Sequence, residues 1–246
     1  FDEKTNAAEL LRALSGLGGD YRVRLGMGNP EHFALFFDEL LDAMAHENVY
    51  RFLHIPVQSG SDAVLAHMKR PYDAAAFADL ARRFRKRFPD GLLATDIIVG
   101  YPVETGADFQ ATLDLLALTR LDFVNVSKFS PRPGTLAAQL SLLDNQTVKR
   151  RSEACSALCR QIASENNQRF VGRELDVLAI EPAERSGVLC RSDDYRPAVL
   201  ENAQVGRRYR CRVTAAGAGH LRAEAVAVEI PISFRMSARP PVLGVL

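Results

Sequence analysis

Two patterns of apolar and polar positions follow one another along the chain. Up to about residue 169, short apolar runs alternate with stretches whose apolar residues fall at helical spacing. The runs Tyr21–Met27, Val49–Val57, Leu92–Tyr101 and Phe123–Phe129 predict strands. Between them, residues 7–17, a face of Phe33, Phe36, Phe37, Leu40, Leu41 and Met44, and residues 62–68, 73–88 and 106–119 predict helices; a long one follows over 146–169. Strand–helix alternation of this kind predicts βαβ units on a mostly parallel sheet with right-handed crossovers. Beyond Phe170 the period falls to two. Segments 174–180, 187–191, 197–200, 207–214 and 221–228 predict a small antiparallel barrel or sandwich. The expected division is residues 1–169, 170–230 and a tail over 231–246.

The strand exits change this picture from fold to chemistry. Gly28-Asn29-Pro30, Gln58-Ser59-Gly60-Ser61, Gly100-Tyr101-Pro102 and Ser130-Pro131-Arg132-Pro133-Gly134-Thr135 all follow predicted parallel strands. Parallel strands place them on one rim, and that rim is where such sheets bind ligands. Asn29, Ser59 or Ser61, and Thr105 stand where helix caps are expected. Asp96 lies inside the third strand among apolar neighbours, so its carboxylate requires a partner from another strand. His54, between Leu53 and Ile55, reads as a packed residue.

Charge adds one local feature. The chain of 246 residues carries a net charge of +1, which makes no overall case for a polyanionic partner. From Gln168 onward there are 12 arginines, no lysine and 9 acidic residues. Arg208, Arg210 and Arg212 alternate along one predicted strand and so share a face. Guanidinium groups spaced ~7 Å apart match phosphates along a nucleic-acid strand. The run Arg82, Arg83, Arg85, Lys86 and Arg87 reads instead as a solvated helix face.

Some classes are disfavoured. No apolar run reaches the ~18–20 residues of a membrane span, and no signal peptide is visible, so a cytoplasmic location is expected. Cys155, Cys159, Cys190 and Cys211 are scattered, which fits a reducing compartment and packed thiols. No CxxC, HExxH or CxxxCxxC pattern occurs, and no phosphate-binding glycine loop. No catalytic or metal-ligating residue is assigned.

Taken in order, Arg24-Leu25-Gly26-Met27-Gly28-Asn29-Pro30, Phe52–Asp62, Met68-Lys69-Arg70, Thr95–Thr105 and Pro131–Thr135 resemble the radical S-adenosylmethionine methylthiotransferases. Asn29-Pro30 and Asn125–Phe129 are similar to the branch that methylthiolates threonylcarbamoyladenosine at position 37 of transfer RNA, in the anticodon loop. The resemblance implies a partial (β/α) barrel of radical-SAM type followed by a TRAM domain, a small OB-like RNA-binding barrel. It implies S-adenosylmethionine near Gln58, Ser59, Ser61, Asp96, Ile98 and Gly100, and RNA on Arg208, Arg210 and Arg212. It further implies 4Fe-4S clusters that cleave S-adenosylmethionine to a radical and supply sulfur. Alternatives are a relative acting on isopentenyladenosine or a ribosomal protein, and an RNA-binding protein without catalysis.

Two departures stand out. The family's cluster-ligating CxxxCxxC is absent, and the chain opens at Phe1, so a missing N-terminal part of the same polypeptide is expected and this chain by itself is expected to be inactive. Val103 replaces a family glycine in the third exit; a left-handed backbone there would strain it.

Overall fold

The computed structural model describes residues 5–17, 19–184 and 186–228, so the 231–246 tail lies outside the described residues. Three parallel strands, β1 (Phe52–His54), β2 (Leu92–Val99) and β3 (Phe123–Lys128), lie side by side in chain order. Val23 and Met27 add isolated parallel bridges to Val49 and His54, so the predicted first strand is extended backbone rather than a continuous ladder.

Strand β1 is also shorter than the predicted 49–57, and Pro56 is the reason. It has no N–H to donate. The Thr95 hydroxyl fills the gap: it donates to the Ile55 carbonyl at 2.6 Å and accepts the Val57 N–H at 2.9 Å. The ladder resumes at Gln58, whose N–H reaches the Asp96 carbonyl and whose carbonyl accepts the Ile98 N–H, each at 2.9 Å.

Helices α1 (Ala7–Ser15), α2 (Pro30–Ala34), α3 (Phe37–Met44), α4 (Asp62–His67), α5 (Ala74–Arg87), α6 (Gly106–Thr119) and α7 (Asn145–Gln168) alternate with the strands. Helices α2 and α3 divide what the pattern reads as one apolar face; Asn29 precedes Pro30 but makes no capping bond, donating instead to Glu31 at 3.2 Å. Leu53, Ile55, Val57, Leu93, Ile97 and Val99 project to one side of the sheet and share a core with Phe37, Leu40, Phe77, Phe84 and Leu116. Burying each such side chain stabilises by ~1.5–3 kcal/mol. The alternate residues line the other face, which no helix among the described residues covers.

After α7, strands β4 (Glu174–Pro182), β5 (Val188–Ser192), β6 (Pro197–Leu200), β7 (Arg208–Ala216) and β8 (Leu221–Val228) close a barrel in the order β4-β5-β6-β8-β7. Its interior is small: Val177, Ala179, Cys190, Ala198, Cys211, Val213 and Leu221, capped by Phe170. Cys155 and Cys159 pack in the larger core, so all four thiols are buried and free.

The barrel is fastened beneath the sheet by ion pairs. Asp122, at the foot of β3, accepts the Leu93 N–H at 3.0 Å, Arg196 from the barrel at 3.0 Å and Arg85 from α5. Arg196, 2% exposed, also donates to Asn167 at 2.5 Å and lies 4.4 Å from the Phe170 ring centre. Arg173–Asp90 and Arg22–Asp193 join the same seam at 2.6 and 3.1 Å.

Candidate functional site

The uncovered face of the sheet is a polar wall. Phe52 and His54 on β1, Ala94, Asp96 and Ile98 on β2, and Phe123, Asn125 and Ser127 on β3 alternate with the core-facing residues. Asp96 stands level with Asn125 and Ile98 with Ser127. The partner that Asp96 requires is His54: Nε2 lies 3.2 Å from Oδ2. That nitrogen is shielded from water. His54 packs edge-on to Phe52, with ring centres 6.3 Å apart, and sets its shielded ring nitrogen against the Asp96 carboxylate.

The floor of this wall comes from the barrel. Tyr195, in the turn between β5 and β6, is held at φ 63°. Its ring centre lies 4.9 Å from that of Tyr50 and 5.1 Å from that of Phe52, and the Arg24 and Arg191 guanidinium groups flank it at 5.2 and 4.3 Å. A bulky residue in the left-handed region is strained, and packing on both sides holds it there. Nothing local in the sequence links Tyr195 to Phe52.

The rim is built by the loops the sequence singles out. Gln58 turns the chain at φ 72°, and Gly60 then presses against α6, where a Cβ would stand 2.5 Å from the Ala111 carbonyl oxygen. Ser59 and Ser61 are buried. The Ser61 hydroxyl caps α4 by accepting the Val64 N–H at 3.3 Å and donates to Asp108 at 2.5 Å; Ser59 lies 3.4 Å from the Thr112 hydroxyl. Both hydroxyls are thus engaged with helices rather than aimed at the wall. Hydrogen bonds from Ser61 and from the Thr105 hydroxyl and N–H hold the Asp108 carboxyl below its usual range.

At the third exit, Gly100 takes φ 77° and abuts Val148 of α7. Its N–H reaches the Glu104 carboxylate at 3.1 Å, and Arg151 binds both that carboxylate and the Glu104 carbonyl. Burial pushes the Glu104 carboxyl up against these partners, which pull it down. This Glu104–Arg151 clasp escapes sequence reasoning, since Arg151 lies 47 positions further along the chain. Val103 does not adopt a left-handed backbone, so the replaced glycine imposes no strain.

Comparison with known proteins places the chain among others. The profile of the Radical SAM superfamily matches residues 3–116. Residues 3–116 belong to the radical SAM superfamily. Relatives named "Probable threonylcarbamoyladenosine tRNA methylthiotransferase" include one from Pyrococcus horikoshii, 38% identical over 92% of this chain and 53% of its own length. Another, from Archaeoglobus fulgidus, is 43% identical over 79% of this chain and 46% of its own length. A "tRNA-2-methylthio-N(6)-dimethylallyladenosine synthase" from Arthrobacter sp. is 38% identical over 91% and 45%. Among solved structures, coproporphyrinogen III oxidase from Escherichia coli covers 86% of this chain and 52% of its own, with a TM-score of 0.52 at 16% identity, a likeness of fold. The chain spans about half the length of the curated relatives it matches.

Within this radical SAM chain, the wall fits a polar nucleoside ligand. It offers the Asp96 carboxylate, the Asn125 amide and the Ser127 hydroxyl on a surface that no described helix covers. An iron–sulfur cluster does not fit the residues present. Among the described residues no three of His, Cys, Asp and Glu gather to hold a metal. Burial pushes the Cys190 thiol to about 12 and the Cys211 thiol to about 11, the opposite of a ligating thiolate.

On the barrel, Arg208, Arg210 and Arg212 do alternate with the buried Tyr209, Cys211 and Val213. They are not a row of bare cations, however. Arg208 pairs with Asp20, Arg210 with Asp176 through contacts of 2.8 and 2.9 Å, and Arg212 with Glu174 at 2.8 Å. Asp176 and Glu174 come from strand β4, which pairs with β7. The arginines of α5 are likewise compensated: Arg82 by Asp79 and Arg83 by Asp38, each at 2.5 Å. Among the described residues no helix is long and apolar enough to cross a membrane.

Proposed function

We propose that this chain supplies the substrate-facing half of a transfer-RNA methylthiotransferase acting on threonylcarbamoyladenosine in the anticodon loop. The observation that carries the reading is the polar wall itself, in a chain 35–43% identical to five archaeal relatives that bear that name. Residues 1–169 form part of the radical barrel and 170–230 a TRAM-like, OB-like RNA-binding barrel; the protein works in the cytoplasm.

Asp96 and the Gln58 turn would hold the polar groups of S-adenosylmethionine, and Ile98 and Gly100 its base, with the backbone of Ser59 and Ser61 behind Gln58. When bound, it supplies the radical chemistry after which the superfamily is named. The chain's own residues bind and orient: Asp96 accepts from hydroxyl or amine donors, Ile98 gives an apolar step above it, and the Glu104–Arg151 clasp fixes the Gly100 backbone. The cluster ligands are not on this chain, and no step is derived through them. The Arg208, Arg210 and Arg212 row meets RNA by exchanging its carboxylates for phosphates.

The test is mass spectrometry of transfer-RNA nucleosides from cells lacking the gene. The 2-methylthio form of threonylcarbamoyladenosine should vanish while its unmethylthiolated precursor accumulates. Loss of the dimethylallyladenosine derivative instead would assign the other substrate, and an unchanged nucleoside profile would refute the reading.

A further inference from the structure

Along the seam between sheet and barrel, one arginine is left without a carboxylate. Arg191 of β5 makes no ion pair among the described residues. Its Nη1 donates to the Tyr195 carbonyl at 3.2 Å, and its guanidinium stands 4.3 Å from the Tyr195 ring centre. Its Nε is shielded from water and has no hydrogen-bond partner among the described residues. A guanidinium carries only donors, and a buried donor without an acceptor is costly.

The strand register shows what surrounds Arg191. Leu178 of β4 stands opposite Arg191 on one side and Arg208 of β7 on the other, so the three side chains leave the barrel on one outer face. Val177 and Ala179 alternate with Leu178 and fill the interior. The two arginine backbones are thus ~10 Å apart across β4, a gap that two long side chains close. On the other side of the seam, the Tyr50 N–H donates to the Val23 carbonyl at 2.9 Å, which sets Tyr50 beside Arg22. Arg22, Tyr50, Arg191 and Arg208 line one cleft of about 100 Å³, together with Asp176 and Asp193.

The groups in this cleft are held in place. The Arg22 and Arg208 side chains are 15% and 20% exposed, and Tyr50 is 6% exposed. The two carboxylates are already engaged: Asp176 takes Arg210 through contacts of 2.8 and 2.9 Å, and Asp193 takes Arg22 at 3.1 Å. Arg208 reaches Asp20, which is not in the lining. Burial pushes the Tyr50 phenol above its ordinary value, and the Arg22 and Arg208 charges pull it back. Tyr50 therefore stays protonated at neutral pH, and its hydroxyl makes no hydrogen bond among the described residues.

We infer that this cleft is a phosphate site, in which Arg191 and the Tyr50 hydroxyl donate to the anion and Arg22 and Arg208 close around it. A tetrahedral oxyanion offers several oxygens to donors that converge from different directions, and arginine forks suit it. Arg191 and Arg208 come from the barrel, and Arg22 and Tyr50 from the sheet side, so an occupied site ties the two together. The site stands on this geometry alone; that its phosphate belongs to an RNA backbone rests on the transfer-RNA reading above.

The test melts the full chain in sodium phosphate and in sodium chloride at matched ionic strength. Phosphate at ten times its dissociation constant should raise the midpoint by about 3–6 °C over chloride. Arg191→Gln should abolish that difference, while Arg82→Ala, on the solvated face of α5, keeps it. Tyr50→Phe removes only the hydroxyl. It should melt like the parent in chloride yet bind phosphate about ten-fold more weakly, which cuts the shift at the same concentration to about a third. A parent without a phosphate-specific shift overturns the site, as does a full shift in Arg191→Gln or in Tyr50→Phe. Anisotropy titrations with unmodified transfer RNA separate the two sources of phosphate. Where the RNA backbone supplies it, Arg191→Gln lowers the slope of log affinity against log salt by about 0.7–0.9, and saturating transfer RNA abolishes the phosphate shift. Where free phosphate is the ligand, Arg191→Gln binds transfer RNA as the parent does. A parent chain with no salt-dependent affinity for transfer RNA overturns the functional reading and leaves the phosphate shift to decide the cleft.

Discussion

The rim and the seam of this molecule use the same residue types to opposite ends. At the seam, carboxylates meet arginines: Asp122 takes Arg85 and Arg196, Asp90 takes Arg173, and Asp193 takes Arg22. At the rim, carboxylates mostly meet amides and hydroxyls. A seam built of matched charges fixes geometry. The difference teaches that a count of charged residues says little; what matters is which charges the fold has already matched.

The largest expected effect tests the seam. Arg196→Met removes a guanidinium from a site where both it and Asp122 are nearly inaccessible. The stranded carboxylate keeps Arg85 and the Leu93 N–H but no longer reaches the barrel. Breaking one partner of a buried pair costs about 3–5 kcal/mol. Urea denaturation should read a loss in that range, or the barrel melting apart from the rest. A loss below about 1 kcal/mol would mean that packing alone fastens the barrel.

On the rim side, the steric seat of the Gln58–Ser61 loop predicts a smaller loss. In Gly60→Ala the added methyl meets the Ala111 carbonyl oxygen and the Thr112 Cα, both at 2.5 Å and both backbone. Overpacking of this kind costs about 1–3 kcal/mol. Because the same shift moves Gln58, the affinity for S-adenosylmethionine should fall with stability. A normal melting midpoint would show that α6 yields easily.

How far the sequence reveals these regions depends on how local the determinants are. The four exits are legible because Gly, Pro and cap residues punctuate them within a few positions, and Ser61 and Thr105 do cap helices as expected. The alternation of Arg208, Arg210 and Arg212 is legible for the same reason. Their neutralisation is not: Glu174 and Asp176 lie in β4, and only the β4–β7 register brings them opposite. His54 and Asp96 are 42 positions apart and meet diagonally across a register in which His54 stands beside Ala94. Ser59 and Ser61 are the right residue types for a ligand loop, yet their hydroxyls go to α6, a helix whose placement no local signal gives. The Tyr195 floor is the extreme case, since a residue between two barrel strands packs on Tyr50, Phe52, Leu92 and Ala94 of the sheet.

The smaller effects concern titration in the seam. Burial pushes the Asp194 carboxyl up to about 6, with Arg51 and Arg196 pulling it down and Asp90 and Asp193 adding to the rise. A folded value above the unfolded one of ~3.9 means the charged form is disfavoured by folding. Stability from this group is present in full below about pH 4 and is lost as pH rises through about 6. Asp194→Asn should therefore stabilise the chain at pH 8 by about 1–2 kcal/mol, and the gain should disappear on acidification to about pH 4. Asp90 and Asp176 run the other way. Hydrogen bonds from Arg173 and Arg210 hold their carboxyls below the usual range, so their contribution is present above ~3.9 and lost at lower pH. A pH-independent gain from Asp194→Asn would place the effect in packing rather than in charge.

The smallest effect separates the barrel's arginine row from the seam. Arg210 and Asp176 form a cross-strand pair on an exposed face, with both side chains nearly half exposed. Such pairs are worth about 0.2–1 kcal/mol, because water solvates the charges well when apart. Arg210→Ala should accordingly lower stability by less than about 1 kcal/mol, an effect that shrinks further in salt. The contrast with Arg196 is the point: two arginines of one barrel, each on a carboxylate, are separated in energy by whether water reaches the pair. A loss from Arg210→Ala as large as that from Arg196→Met would show that the outer face of β7 is buried in solution, and would make the row part of an interface rather than an exposed surface.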